Sequence, residues 1–164
     1  MGKISLSEIA QCSEILSKLE PGILPFEIFS QVARLVRLPM LDLIPYKKEG
    51  NRKLIGLLKR DANDPWWPDK WTLPGTVITV NDTFESAIDR LTTKEIKIKI
   101  SAAPIFLGHI IHESERGCGI IFIYSAADIE LEDNSPLKWF ELTNLPDNFV
   151  ASEGRVVEMW QSFD

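Results

Sequence analysis

Between Leu73 and Ile98 the chain reads LPGTVITVNDTFESAIDRLTTKEIKI, a Leu-Pro-Gly turn followed by a helical pattern that carries Arg90 and Glu95. A guanidinium such as that of Arg90 suits two-pronged contacts to phosphate or carboxylate. Just upstream, Trp66, Trp67 and Trp71 cluster in DANDPWWPDKW. Their aromatic faces either stack on a base or sugar or cover the edge of the core, and Trp71 reads as a packing residue. His109 and His112 sit three apart in a strand pattern and therefore point to opposite faces, which argues against a joint metal site. The acidic run ELEDN at 130–134, which includes Asp133, is most simply a solvated loop by composition.

The elements that must position these groups follow from periodicity. Leu6, Ile9, Ile15, Leu16 and Leu19 recur near helical spacing before the stop EPG, and a second helical pattern sets Phe26, Phe29, Ala33 and Val36 on one face before Pro39. Two apolar runs around KKEGNRK predict a hairpin with strands near 40–46 and 53–60, with Pro45 an awkward strand residue. WTLP reads as a short strand. Asp82 and Glu85 have capping-box spacing, which predicts a helix from about Thr83 to Lys97 with Phe84, Ala87, Ile88 and Leu91 as its apolar stripe. Strands are expected in APIFLGHIIHE, GCGIIFIYSA and PLKWFEL, and a closing helix in EGRVVEMWQSF. The order helices, strands, central helix, strands, helix predicts a mixed sheet flanked by helices.

With 164 residues, 45% of them hydrophobic, the chain suits one domain. A net charge of -6 disfavours nucleic acid as the main ligand, since phosphate-backbone binding draws on clustered cations. Cys12 and Cys118 lie far apart and read as small buried hydrophobes. No apolar run is long enough for a signal peptide or a membrane span, so a cytoplasmic location is the expectation.

The turn and helix at 73–98 resemble the box of the Nudix hydrolases, G-x5-E-x7-R-E-U-x-E-E-x-G-U with U aliphatic. In register, Thr76 replaces the first box glycine, Asp82 replaces Glu, and Arg90, Glu95 and Ile98 match. Leu91 and Lys94 stand where the family has Glu, Thr92 where it has an aliphatic and Lys97 where it has Gly. LIGLLKRD, WWPDKWTLPG and PLKWFEL resemble the flanking strands and the turn that precedes the box. The resemblance spans roughly residues 38–160. It implies an α/β fold, a Nudix α/β/α sandwich with mixed sheet over 38–164, to which residues 1–37 add an N-terminal helical extension packed on the same unit.

In the family, box carboxylates on one helix face hold divalent ions against a pyrophosphate. Here the pair at 91 and 95 keeps only Glu95, and Lys94 makes a cluster of two or three ions electrostatically unfavourable. The reduced box is most similar to that of the GDP-mannose mannosyl hydrolases. That subgroup implies a single Mg2+ on Glu95 and the Gly75 carbonyl, with Arg60 matching a subgroup arginine near the diphosphate of a nucleoside diphosphate sugar or related derivative; Arg90 is expected near the same diphosphate, and Trp66 and Trp67, in the loop beside the site, are candidates to stack on the ligand. Where the subgroup has its Gln-His pair this chain has Asp133 and Asn134, which leaves Asp133 as the candidate base. Val77 stands where the subgroup has an arginine. The alternative is a catalytically inactive Nudix module that binds a nucleotide or a partner protein, with the N-terminal helices as an interface, for example in a homodimer.

Overall fold

The computed structural model describes residues 4–22, 24–114 and 117–163. Nine strands are present among them: β1 Arg37–Glu49, β2 Arg52–Lys59, β3 Trp71–Thr72, β4 Gly75–Val77, β5 Ile98–Ile100, β6 Ile105–Ser114, β7 Gly117–Ala126, β8 Ile129–Leu131 and β9 Lys138–Glu141. The helices are α1 Leu6–Leu16, α2 Phe26–Leu35, α3 Phe84–Asp89 and α4 Gly154–Gln161. The main sheet runs β3-β2-β1-β7-β6, with β4 on β1 and β9 on β2, while β5 and β8 form a separate ribbon. Its one parallel pair, β1 with β7, makes the sheet mixed.

Side-chain alternation along β1 divides the core into two layers. Leu41 and Leu43 face α3, where they pack with Ala87, Leu91, Ile96 and Leu137. Ile44 faces the other way with Ile55, Leu57, Ile121, Val156 and Trp160, under α4. This is the expected α/β/α sandwich. Asp42 shares the parity of Ile44, and so one carboxylate is carried onto the α4 face.

β1 extends to residues 37–49, beyond the expected 40–46, and passes straight through Pro45. Odd residues of β1 bond toward β4, as Leu43 N–H to Pro74 O shows. β4 pairing ends at Asp42 and β2 pairing begins at Tyr46, so the missing N–H of Pro45 falls in the gap between partners.

The central helix also departs from expectation. Thr83 caps it with Ser86 as its reciprocal partner, in place of the predicted Asp82 and Glu85. After Asp89 the helix widens into an i→i+5 turn over Arg90–Glu95, closed by Ile96 N–H to Leu91 O at 2.9 Å. Thr92 Oγ1 bonds back to Ile88 O at 2.9 Å and Thr93 Oγ1 to Asp89 O at 2.6 Å, the kind of hydroxyl back-bonding that loosens a helical ladder.

α2 lies against the sheet, with Ala33 1% exposed. A Cβ on Gly117, whose φ is +131°, would meet Ala33 O at 2.2 Å, so only glycine admits this approach. Of the apolar face predicted for α2, Phe26 and Val36 remain about half exposed. α1 buries none of its residues, and Cys12 on it is exposed, contrary to the expectation of a buried thiol; Cys118 is half-buried. No helix among the described residues is long and apolar enough to cross a membrane.

Candidate functional site

The Leu-Pro-Gly turn and the widened helix meet through Arg90. Its Nη2 donates to Asp82 Oδ2 at 2.9 Å and to Val77 O at 2.9 Å, and its Nη1 to Thr76 Oγ1 and Glu95 Oε1, each at 2.7 Å. Thr76 Oγ1 also donates to Glu95 Oε1 at 3.1 Å. Residues five apart do not share a face in a regular α-helix; the i→i+5 turn is what brings Arg90 over Glu95. The Arg90 guanidinium, with the Thr79 N–H and hydroxyl, holds the Asp82 carboxyl down at about 2. Desolvation works against the Arg90 charge, but Asp82 and Glu95 prevail and raise its pKa further.

Arg60, expected near a diphosphate, is held by Asp64 through Nε at 2.9 Å and through Nη2. The other Asp64 oxygen accepts the N–H groups of Trp66 at 3.0 Å and Trp67 at 2.8 Å. One carboxylate therefore fixes both Arg60 and the tryptophan loop. Trp66 turns away and packs its ring on Phe26 of α2, centroids 5.4 Å apart. Trp67 remains at the cavity, while Trp71 packs edge-on against Phe140 at 4.7 Å, as a core residue should. Asp64→Ala removes all four of these bonds and leaves Arg60 without its carboxylate. It should cost about 2 kcal/mol in a urea titration, with a rise in tryptophan quenching by iodide as the loop opens.

Beneath the turn lies a cavity of about 320 Å³, walled by β1, β7, Ala33 of α2 and the start of α4. Arg60, Trp67, Gly75, Thr76 and Arg90 reach it, and His112 joins from β6. His109 is exposed on the opposite face, as the odd spacing predicts. Burial and the Arg155 charge lower the His112 pKa. Two carboxylates not anticipated as site residues also line the cavity, Asp42 and Glu153. Glu153 Oε2 accepts the Leu73 N–H at 2.5 Å. Burial first, and then the Asp42 charge, push its pKa well above the ordinary 4.5, against the pull of Leu73 and Arg60. Asp42 also crowds Gly75, where a Cβ would stand 2.2 Å from Asp42 Oδ1.

Glu95, Trp66 and Asp133 do not line the cavity. Asp133 sits in an exposed turn. That turn is tied to the end of the box helix by Ser135 Oγ to Ile96 O at 2.7 Å and Glu132 N–H to Lys97 O at 3.1 Å.

Among the described residues no three His, Cys, Asp or Glu side chains group as metal ligands, so a multi-ion cluster does not fit. One Mg2+ fits better, because this ion commonly takes only one or two protein carboxylates. Both contacts to Glu95 fall on Oε1, and Oε2 takes neither. Gly75 pairs with Asp42 at a position flanked by the Leu43–Pro74 bond, which turns its carbonyl away from β1.

No family profile matches the chain, and no curated protein sequence does. Solved structures do match. The NUDIX domain of Shewanella oneidensis NrtR, complexed with ADP ribose, superposes with a TM-score of 0.63 at 17% identity, covering 92% of this chain and 97% of that one. The C-terminal domain of mouse MUTYH, in complex with human PCNA, gives 0.64 at 14% identity over 78% and 90%. A mutT/nudix family protein from Listeria innocua gives 0.61 at 19% identity over 77% and 92%. The fold is that of the Nudix domains.

Proposed function

We propose that this protein is a Nudix-type hydrolase of a nucleoside diphosphate sugar or related nucleoside diphosphate derivative, working with a single Mg2+. The supporting observation is the bond network that sets Glu95, the one carboxylate kept at the box's Glu positions after Arg90, against the Leu-Pro-Gly turn through Thr76 and Arg90. Glu95 Oε2 and the Gly75 carbonyl hold the ion, which when bound neutralises charge on the diphosphate leaving group. Arg90 orients Glu95, and the cavity beside the turn takes the organic part of the ligand. Asp133, on the turn tied to the same helix end, is the candidate base.

A second reading has its own support. Arg60 is engaged by Asp64, and Arg90 by Asp82 and Glu95, so both arginines already carry carboxylate partners. This favours a nucleotide-recognition module without turnover. Incubation with a panel of nucleoside diphosphate derivatives and Mg2+ separates the two. For the hydrolase, Glu95→Gln lowers turnover by about 100-fold or more, since losing a ligand costs at least as much as losing a group that only orients one, and thermal stabilisation by nucleotide requires Mg2+. Equal stabilisation with and without Mg2+, together with no turnover in either protein, assigns the module.

A further inference from the structure

We infer that the groove between β6 and the start of α4 is an anion subsite, in which Arg155, His112 and Ser152 receive a phosphate monoester carried by the end of the ligand remote from the box. The inference rests on the proposed nucleotide ligand and extends it by one group.

The groove adjoins the cavity already described. Ile110, His112 and Ser152 line both, so a ligand that fills the cavity continues past them into the groove, whose volume is about 770 Å³. Ala151 and Arg155 supply its other wall. Gly75, Thr76 and Arg90 line the cavity and not the groove, and a group held in the groove therefore lies clear of the box.

Charge selects what enters. Arg60 and Arg90 are matched by Asp64, Asp82 and Glu95, whereas Arg155 has no ion-pair partner among the described residues. It stands close enough to His112 for its charge to be felt there: burial first, and then Arg155, hold the imidazole below its ordinary pKa of 6.5. An imidazolium beside a guanidinium is unfavourable until an anion lies between them. The carboxylates nearby do not take that place. Glu113, at the rim, is 71% exposed and pairs with Arg37 at 3.7 Å, and Glu153 turns to the Leu73 N–H. The cavity that His112 shares also holds Asp42, Cys118 and the two paired arginines, none of which lines the groove.

The donors then favour phosphate over carboxylate. A carboxylate is satisfied by a two-pronged guanidinium alone. A terminal phosphate has a third oxygen, for which the His112 ring and the Ser152 hydroxyl are further donors.

The test reads the ring-proton shifts of the two histidines by NMR, with His109 on the opposite sheet face as the internal control. Both are followed through their titrations in EDTA with chloride, inorganic phosphate or acetate at equal ionic strength. Phosphate should raise the His112 midpoint by about one pH unit, the lower end for an opposite charge at close range, and leave that of His109 in place. By linkage, the protonated site then binds phosphate about tenfold more tightly than the neutral one. Acetate should move His112 less than half as far. Arg155→Gln, a change at an exposed position, should raise the His112 midpoint in chloride, because a like charge is gone, and should lose the response to phosphate. A silent His112 in wild type, an equal response of His109, an acetate response as large as that to phosphate, or a full phosphate response in Arg155→Gln overturns the inference. None of these readings needs Mg2+ or turnover, so an inactive box leaves the subsite standing, and a working box beside a silent His112 removes the subsite alone.

Discussion

Arg90→Ala should lower the unfolding free energy by about 3 kcal/mol, at the low end for breaking a buried pair because Arg90 itself keeps 28% of its side chain exposed. The cost comes mainly from what is left behind. Asp82, only 11% exposed, would lose its cation and keep only Thr79 and Ser86 as donors. Val77 O, Thr76 and Glu95 would lose a donor as well, and the Leu-Pro-Gly turn would no longer be tied to the widened helix. Arg90→Lys should recover less than half, because one ammonium cannot span contacts that a guanidinium reaches with two nitrogens. Urea titrations of the three proteins decide this, and equal midpoints would show that the network is ornamental. The same pair shapes the acid limb of stability. The Asp82 pKa is lower in the folded chain than in the unfolded one, so its contribution is present above 3.8 and is lost as pH falls toward about 2. In Arg90→Ala that acid dependence should flatten.

The architecture was readable from the sequence where periodicity is long. The strands Ile105–Ser114 and Gly117–Ala126 and the terminal helix Gly154–Gln161 match, to within a residue or two at their ends, the segments that alternation and helical spacing mark out. The short strands β4, β5 and β8 were missed, since three residues give no period to detect. The break in the central helix was missed for a different reason. RLTTKE satisfies an α-helical template, and the widened turn depends on hydroxyl back-bonds from Thr92 and Thr93 that a hydrophobic pattern does not register.

That break also changes how the site must be read. Counting in fours pairs Leu91 with Glu95 and makes Glu95 look solitary; counting in fives pairs it with Arg90. Asp42 and Glu153 were overlooked because each has an ordinary local reading, one as a charge in a strand and the other as a polar residue at a helix start. A charge inside the apolar run PMLDLIP was the available clue for Asp42. Glu153 offered none, because its neighbours in space, Leu73 and Asp42, lie about half the chain or more away. Arg60 was expected near a phosphate and does line the cavity; its carboxylate partner is what the sequence did not show. Its partner Asp64 lies four residues on, in a loop whose geometry the sequence does not specify.

Glu153→Gln should make the protein more stable, and the gain should grow with pH. The folded state holds the Glu153 proton more tightly than the unfolded chain does, because burial and the Asp42 charge disfavour the carboxylate. Above the ordinary value of 4.5 an unfolded chain releases that proton freely, while the folded chain must either keep it or bear the charge. Stability is therefore lost as pH rises from there through the folded pKa, the opposite sign to Asp82. A glutamine cannot titrate and escapes the loss while its amide oxygen still accepts from Leu73 N–H. Melting temperatures of the two proteins should nearly coincide at acidic pH and separate on the alkaline side, with each kcal/mol appearing as about 2–4 °C in a domain of this size. Asp42→Asn should reproduce part of the gain, since it removes the like charge but not the desolvation. A difference between Glu153→Gln and wild type that stays constant across pH would mean that Glu153 titrates like a solvated side chain, and the effect assigned to its burial beside Asp42 would have to be abandoned.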